Sequence, residues 1–421
     1  MCAALLSPSG GTPGVLSTRD EVEAAVEALA GGSGPLAVDT ERASAYRYDD
    51  RAFLIQLRRA GAGTFLIDPE TNRGAVAPLP GVLNDMTWVL HAASSDLPAL
   101  TDLGLYPAEL IDTELAGRLL GLPKVNLAAM TEELLGVSLA KGHGREDWSR
   151  RPLPGDWLDY AALDVELLVE LADALVAALA ELDRVEWLRQ ESEAVRTAFR
   201  PGAGGGLPTN RPADERWRSM KGYGRLRRAE QLAVGRALWL ERDRIAKGRD
   251  VSPVMVLPHD VLATVAEKVP RGETELAAIR GFPRRRTGAA KHWDRVVRNA
   301  LRAPRRDWPR PDRRDGPSRP HHRHWEERHP AAAILYAALR EAHELLAEDL
   351  GIAPETLLKP SDVREIAWVM SGEGAAPGDV PRTDGQVRAL LEGLGARPWQ
   401  VELMAGLVAE TVLLPRRQPL D

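Results

Sequence analysis

The chain has 421 residues, of which 28% are charged, and a formal net charge of −6. That length predicts two to four domains, each able to hold its own core. The only cysteine, Cys2, excludes an intramolecular disulfide and suits a reducing cytoplasm, and no apolar run reaches the roughly 18 residues that would span a membrane. The charge is segregated. Residues 1–210 hold 17 Lys+Arg against 31 Asp+Glu, residues 211–330 hold 30 against 16, and residues 331–421 hold 8 against 14. A basic middle between acidic flanks predicts a polyanion partner. Arg outnumbers Lys 48 to 7, which explains the choice of cation but not its clustering.

The N-terminal stretch MCAALLSPSGG lacks a positive n-region and a long apolar core, so a signal peptide is not expected. Residues 1–17 are rich in Ser, Gly and Pro and read as a disordered tail. TRDEVEAAVEALA (18–30) reads as a helix, with Thr18 as N-cap and Glu21 completing a capping box. PLAVDT, FLIQLRR and TFLIDP follow as three short strands, the last two linked through the GAG at 61–63. TWVLH and ELIDT supply two more strands, with helices between and after. Strands first paired by a hairpin and then alternating with helices predict a mixed α/β sheet flanked by helices. A helical pattern from Pro154 to about Arg200 closes this first domain, over 18–200.

Residues 201–212 (PGAGGGLPTNRP) form a flexible linker that as a coil spans about 17–20 Å. A helical domain is expected over 213–302. Residues 303–330 form a basic Pro/Arg/His-rich linker whose His spacing is too irregular for a metal site. A C-terminal helical unit follows over 331–415.

The chemistry concentrates in the first domain. Asp39 and Glu41 close an apolar strand, and their i, i+2 spacing puts both on one face. Asp96 follows another strand directly, at the kind of edge where sites collect in open sheets. Tyr160 and Asp164 are four apart on a helix and share a face. Singly, Asp39 could cap a turn, Asp96 could cap a helix before LPAL, and Asp164 could pair with a buried arginine. As an ordered set they predict convergence. Two carboxylates about 4 Å apart repel by roughly 4 kcal/mol at an effective dielectric near 20. Such a cluster must take up protons or bind divalent cations, and oxygen-only ligands favour Mg²⁺ or Mn²⁺ over zinc. That is the chemistry of a two-metal phosphodiesterase.

The run of DTE, HAASSD and Tyr160-x₃-Asp164, in that order, resembles the exonuclease motifs of the DEDD superfamily in its tyrosine-containing subtype. LLGVSLAKGHGREDWSRRPL (134–153) resembles a segment of the ribonuclease D family. ALWLERDRIAKGRDVSPVMVLPHDVL and IRGF resemble the HRDC domain that this family shares with RecQ-type helicases. The likeness covers about 20–302 well, and the last unit only as a divergent HRDC-like bundle. Many superfamily members carry an aromatic residue directly before the third carboxylate, where this chain has Ser95.

The resemblance implies an RNase H-like exonuclease fold followed by all-α HRDC-type bundles. The activity it implies is hydrolytic 3′→5′ removal of nucleotides from RNA. Asp39 would bridge two divalent ions, Glu41 and Asp164 would hold the ion carrying the attacking water, Asp96 would support the second ion, and Tyr160 would orient the water. With a pKa near 10, tyrosine is a poor base at neutral pH, so positioning is its expected role. Lys141, Arg145 and Trp148 are candidates for gripping the scissile-end phosphate and stacking a base, with a solvated loop and a core tryptophan as the alternatives. Lys221, Arg225, Arg227 and Arg228, and then Arg284 to Arg286, are candidate phosphate contacts in the basic domain. His91 is expected to be a structural hydrogen-bonding residue. The expected substrates are single-stranded RNA 3′ ends such as those of tRNA precursors, handled by a monomer. A DNA 3′→5′ exonuclease and a non-catalytic RNA-binding adaptor are the competing readings.

Overall fold

The computed structural model describes residues 4–139, 142–201, 213–284, 287–311, 319–373 and 380–413. Lys141, Arg285, Arg286 and almost all of the expected linker over 201–212 lie outside these residues. The tail over 1–17, expected to be disordered, instead carries two short strands, β1 (Ala4–Leu5) and β2 (Val15–Leu16). Composition could not reveal the open sheet edge that gives this backbone its hydrogen-bond partners. Ser9 is fixed as well, its N–H and hydroxyl both donating to Glu166.

Helix α1 (Arg19–Gly31) starts as its sequence predicts. The Thr18 hydroxyl accepts from the Glu21 N–H, and the Glu21 carboxylate accepts from the Thr18 N–H. β3 (Ser33–Arg42), β4 (Ala52–Ala60) and β5 (Gly63–Ile67) form an antiparallel run, with Gly61 and Gly63 supplying the positive φ of the β4–β5 turn. α2 (Pro80–Leu83), β6 (Thr87–Leu90), α3 (Leu97–Thr101) and β7 (Glu109–Asp112) follow. The sheet runs β2-β5-β4-β3-β6-β7, with β6 and β7 parallel to β3. β3 is therefore central, which is why Leu36, Ala37 and Val38 form an unbroken buried run instead of an alternating one.

Helices α4 (Thr113–Leu119), α5 (Leu127–Leu135), α6 (Gly155–Glu166), α7 (Leu168–Ala180) and α8 (Val185–Ala198) complete this unit, and the short β8 (Ser138–Leu139) pairs with β1. Val22 and Leu29 of α1 pack on Leu36, Val38, Ile55 and Leu57 on one face of the sheet. Phe53, Leu54 and Leu66 meet Trp157, Ala161 and Ala162 of α6 on the other, beside Ala37 and Val89 with Val165 and Leu168. The unit is a mixed sheet between helical layers, as predicted.

A second, all-helical unit holds α9 (Ala229–Arg249), α10 (Pro253–Val256), α11 (His259–Lys268), α12 (Glu273–Ala277) and α13 (Ala289–Arg302) around its own core of Trp217, Leu232, Leu238, Leu262 and Trp293. Tyr48 of the first unit packs into that core, and its hydroxyl donates to Asp243. The last unit comprises α14 (Trp325–Arg328), α15 (Pro330–Asp349), α16 (Pro354–Leu357), α17 (Pro360–Met370), α18 (Asp384–Gly393) and α19 (Pro398–Val408). It shares one core with α4, α5, α7 and α8, since Leu119, Met130, Leu175 and Leu188 cluster with Leu339, Ile366 and Trp399. Trp187 stacks on Trp399 at 4.4 Å, and buried Trp399 donates through Nε1 to Glu191.

Candidate active site

Ala37, Asp39 and Glu41 share one face of β3, and Ala37 packs there against Val165, Leu168 and Ala172. The acids therefore prolong an apolar face that meets α6 and α7. A register irregularity follows at Glu41 and Arg42, so the strand bends away directly after the second carboxylate. Tyr160 and Asp164 stand one turn apart on α6, which packs on β3, β4 and β5. This brings carboxylate oxygens of Asp39, Glu41 and Asp164 within 4.8 Å of one another. Asp96 follows β6, the parallel neighbour of β3, so both strands deliver their acids at the same carboxyl edge.

These carboxylates perturb one another. Burial, followed by the charges of Asp96, Asp164 and Glu41, holds Asp39 well above the usual carboxylate range. Burial and then Asp164 and Asp96 do the same to Glu41. Burial raises Asp164 to about 7, opposed by its hydrogen bond with Tyr160. Burial raises Asp96 to about 6 against the pull of the Arg42 cation and the Thr40 hydroxyl. The Tyr160 hydroxyl is pushed up by burial and then by Asp164, so it stays protonated and able to donate. Gln56, the cross-strand neighbour of Asp39 on the same face, is fully buried with both amide atoms lacking a partner. Anionic oxygens that repel one another beside an unsatisfied amide fit a hard divalent cation, and no nitrogen or sulfur ligand competes in the group.

Sequence reasoning missed the parts that hold Asp96. Its side chain does not cap α3, although it occupies the N-cap position. Thr40 donates to it at 2.6 Å and the Arg42 guanidinium lies 3.8 Å away. Asp112 fixes the loop that presents it. That buried carboxylate accepts from the N–H groups of Ala92 and Ala93 on one side and of Glu114 and Leu115 on the other. Ala92 sits at φ 57°, a left-handed conformation unusual for alanine, between two anchored peptides. The DT pair at 112–113 was the available signal, as a helix cap directly after a strand. His91 is structural as expected: it is held neutral by burial and shares a 3.0 Å hydrogen bond with the Thr113 hydroxyl.

Comparison with known proteins places this geometry. A family model described as "3'-5' exonuclease" matches residues 14–180, "HRDC domain" matches 231–289, and "3' to 5' exonuclease C-terminal domain" matches 318–412. Ribonuclease D of Pseudomonas paraeruginosa is 31% identical over 375 residues, covering 88% of this chain and 93% of that one. The chain belongs to the ribonuclease D family. Ribonuclease D of Jannaschia sp. is 28% identical over 84% of this chain and 89% of its own. A crystal structure of a protein from Bifidobacterium adolescentis superposes with a TM-score of 0.82 at 32% identity, covering 98% of this chain and 100% of that one. Escherichia coli RNase D, an exoribonuclease involved in structured RNA processing, superposes at 0.68 and 25% identity over 94% and 98%. Members of this family are metal-dependent 3′→5′ exonucleases, and this chain is an exoribonuclease of that type.

Among the described residues, the expected substrate contacts fall in different parts of the fold. Trp148 is fully buried, packs at 5.3 Å on Trp157 and donates through Nε1 to the His143 carbonyl. The expectation that it stacks a substrate base is therefore corrected: it anchors the loop to α6 from within the core. Arg145 is exposed on that loop, where its carbonyl accepts from Tyr46. His143, which the sequence did not single out, lies edge-on to Tyr160 with ring centroids 5.8 Å apart. Lys221 and Arg225 belong to the second unit, where they face Asp260 and Glu267 of α11 at 3.6 and 3.7 Å.

Proposed function

We propose that the chain hydrolyses single-stranded RNA 3′ ends, tRNA precursors among them, with Asp39, Glu41, Asp96 and Asp164 holding two Mg²⁺ or Mn²⁺ ions. The observation that carries this reading is the convergence of the Asp39, Glu41 and Asp164 oxygens within 4.8 Å, with Asp96 close enough to raise all three. When bound, the ions lower the pKa of a water and stabilise the leaving 3′ oxygen. Asp39, central in the repulsive set, is the ligand placed to be shared. Glu41 and Asp164 lie beside it, while Asp96, tied to Thr40 and Arg42, would support the second ion.

Tyr160 positions. Its hydroxyl stays protonated, so it donates toward Asp164 and orients a water but cannot remove a proton at neutral pH. Burial of Glu41 and Asp96 excludes bulk water from the floor, which strengthens each electrostatic contact. Arg145, exposed on the adjoining loop, is the candidate clamp for the terminal phosphate. All five catalytic residues come from one chain, so a monomer suffices. A cytoplasmic place of action suits the RNA substrate and the single Cys2.

The test is product length over time on a 5′-labelled single-stranded RNA with Mg²⁺, with EDTA, and with Asp39→Ala. Stepwise shortening that needs the metal and vanishes in the variant is expected. RNA left intact in every lane, with binding retained, would mean a non-catalytic RNA-binding protein. A matched DNA oligomer digested as fast as the RNA would remove the RNA preference.

A further inference from the structure

The basic connector between the second and third units has no task in the chemistry above. Its second described stretch, from Arg319 to Pro330, is folded onto the last unit. Trp325 is 1% exposed, donates through Nε1 to the Pro320 carbonyl at 2.9 Å, and packs on Trp368 at 5.3 Å. That anchor holds the residues just before it against α17. They close a cavity of about 260 Å³ lined by Arg319, Pro320, His321, His322 and Arg364.

The lining is chemically one-sided. Four of its five side chains are cationic or can become so, and none is acidic. The imidazoles of His321 and His322 stack with centroids 4.6 Å apart. Arg319 is anchored by Glu365 at 2.9 Å, which fixes its guanidinium at the rim. Arg364, half-buried on α17, has no acid partner among the described residues. Arg323 adds a further charge, and burial followed by the charges of His321, Arg364, Arg323 and Arg319 holds His322 below its usual range. With Arg319 matched by Glu365, the Arg364 cation and the two imidazoles remain without an anion among the lining residues, and one from outside satisfies them. A tetrahedral oxyanion that can accept from an arginine fork and from imidazole N–H groups fits the donors available.

We propose that this pocket is a second RNA-binding site, taking a backbone phosphodiester of the substrate away from the carboxylate cluster. The proposal rests on the RNA-directed reading above. Every lining residue belongs to the connector or to α17, so the site has no residue in common with the catalytic one. A phosphodiester is preferred to a free anion because an RNA whose 3′ end lies among the carboxylates brings further phosphates at high effective concentration. A very short oligonucleotide gains nothing from the pocket, whereas a long structured RNA does.

The experiment uses the full chain in EDTA, so that no turnover is needed, and reads fluorescence anisotropy of a labelled RNA hairpin with a single-stranded 3′ tail. Arg364→Gln and Arg364→Glu are compared with the parent across a salt series, with melting temperatures to verify folding. The proposal expects about tenfold weaker binding for the charge reversal and a smaller loss for the neutral variant. It also expects a salt slope shallower by about 0.7–0.9 for the lost phosphate contact. In Mg²⁺, trinucleotide turnover should match the parent. Hairpin affinity and salt slope unchanged in both variants would overturn the proposal, and so would a parent protein that does not bind the hairpin. Unchanged RNA binding alongside a pocket that takes inorganic phosphate alone, read as phosphate-induced shifts of the His321 and His322 NMR signals lost in Arg364→Glu, would overturn it too. Loss of turnover in the parent would count against the nuclease reading while leaving this binding result interpretable.

Discussion

Replacing Asp39 by Asn should abolish turnover and, in the absence of metal, stabilise the protein. Asp39 faces Glu41 and Asp164 with oxygens inside 4.8 Å, and Asp96 adds to the same field. At that distance each pair of ionised carboxylates repels by about 3 kcal/mol at an effective dielectric near 20. Partial protonation of the cluster relieves much of this, so removing one charge should return about 1–3 kcal/mol. For domains of about 150–250 residues each kcal/mol moves the melting temperature by about 2–4 °C. The gain depends on pH. Asp96 and Asp164 titrate near 6 and 7 in the folded metal-free protein, above the ordinary value of 3.8. Between about pH 4 and 7 the folded state therefore binds more protons than the unfolded chain, and its stability falls as pH rises through that window. Parent and Asp39→Asn should melt together at pH 5 and separate at pH 8 in EDTA, with the variant higher. Saturating Mg²⁺ at pH 8 should reverse the order, because a ligand at about 1,000 times its Kd stabilises the parent by about 4.1 kcal/mol and the variant far less. Calorimetry in EDTA and in Mg²⁺ reads all of this. An Asp39→Asn protein that melts below the parent at pH 8 in EDTA, or whose gap is as large at pH 5, would refute the convergence of these four acids.

Asp112→Ala leaves four backbone N–H groups without their acceptor, so the loop carrying Asp96 should loosen. We expect kcat to fall at least tenfold with KM for RNA nearly unchanged, and the Mg²⁺ concentration for half-maximal rate to rise, read by metal titration at saturating RNA. Trp399→Ala removes the stack on Trp187 and the bond to Glu191, and should cost about 3–5 kcal/mol at the seam between the first and last units. Limited proteolysis should then release the last unit while trinucleotide turnover persists. Tyr160→Phe keeps the ring and loses the hydroxyl. Its rate should drop by about 10²–10³ with Mg²⁺ affinity unchanged, whereas a parallel loss of metal affinity would give Tyr160 a role as ligand instead.

The sequence by itself determined the cap of α1, the strands β3 to β7 and the face on which Asp39 and Glu41 lie, because all of these follow from local periodicity and side-chain hydrogen bonding. Thr18 and Glu21 cap α1 in the predicted way, and Tyr160 and Asp164 share a face because they are one helical turn apart. What lay across the fold was decided only in three dimensions. Trp148 reads equally well as a base-stacking platform or as core, and only its packing on Trp157 assigns it to the core. Val15 and Leu16 pair into the sheet because β5 offers a free edge, and Arg319 to His322 form a pocket because Trp325 docks on Trp368. Asp112 escaped notice for the same reason, since two of the four N–H groups it accepts from lie about twenty residues back along the chain. Propensity and spacing act over a few residues, whereas a long-range partner becomes visible only when the packed core sets the distance.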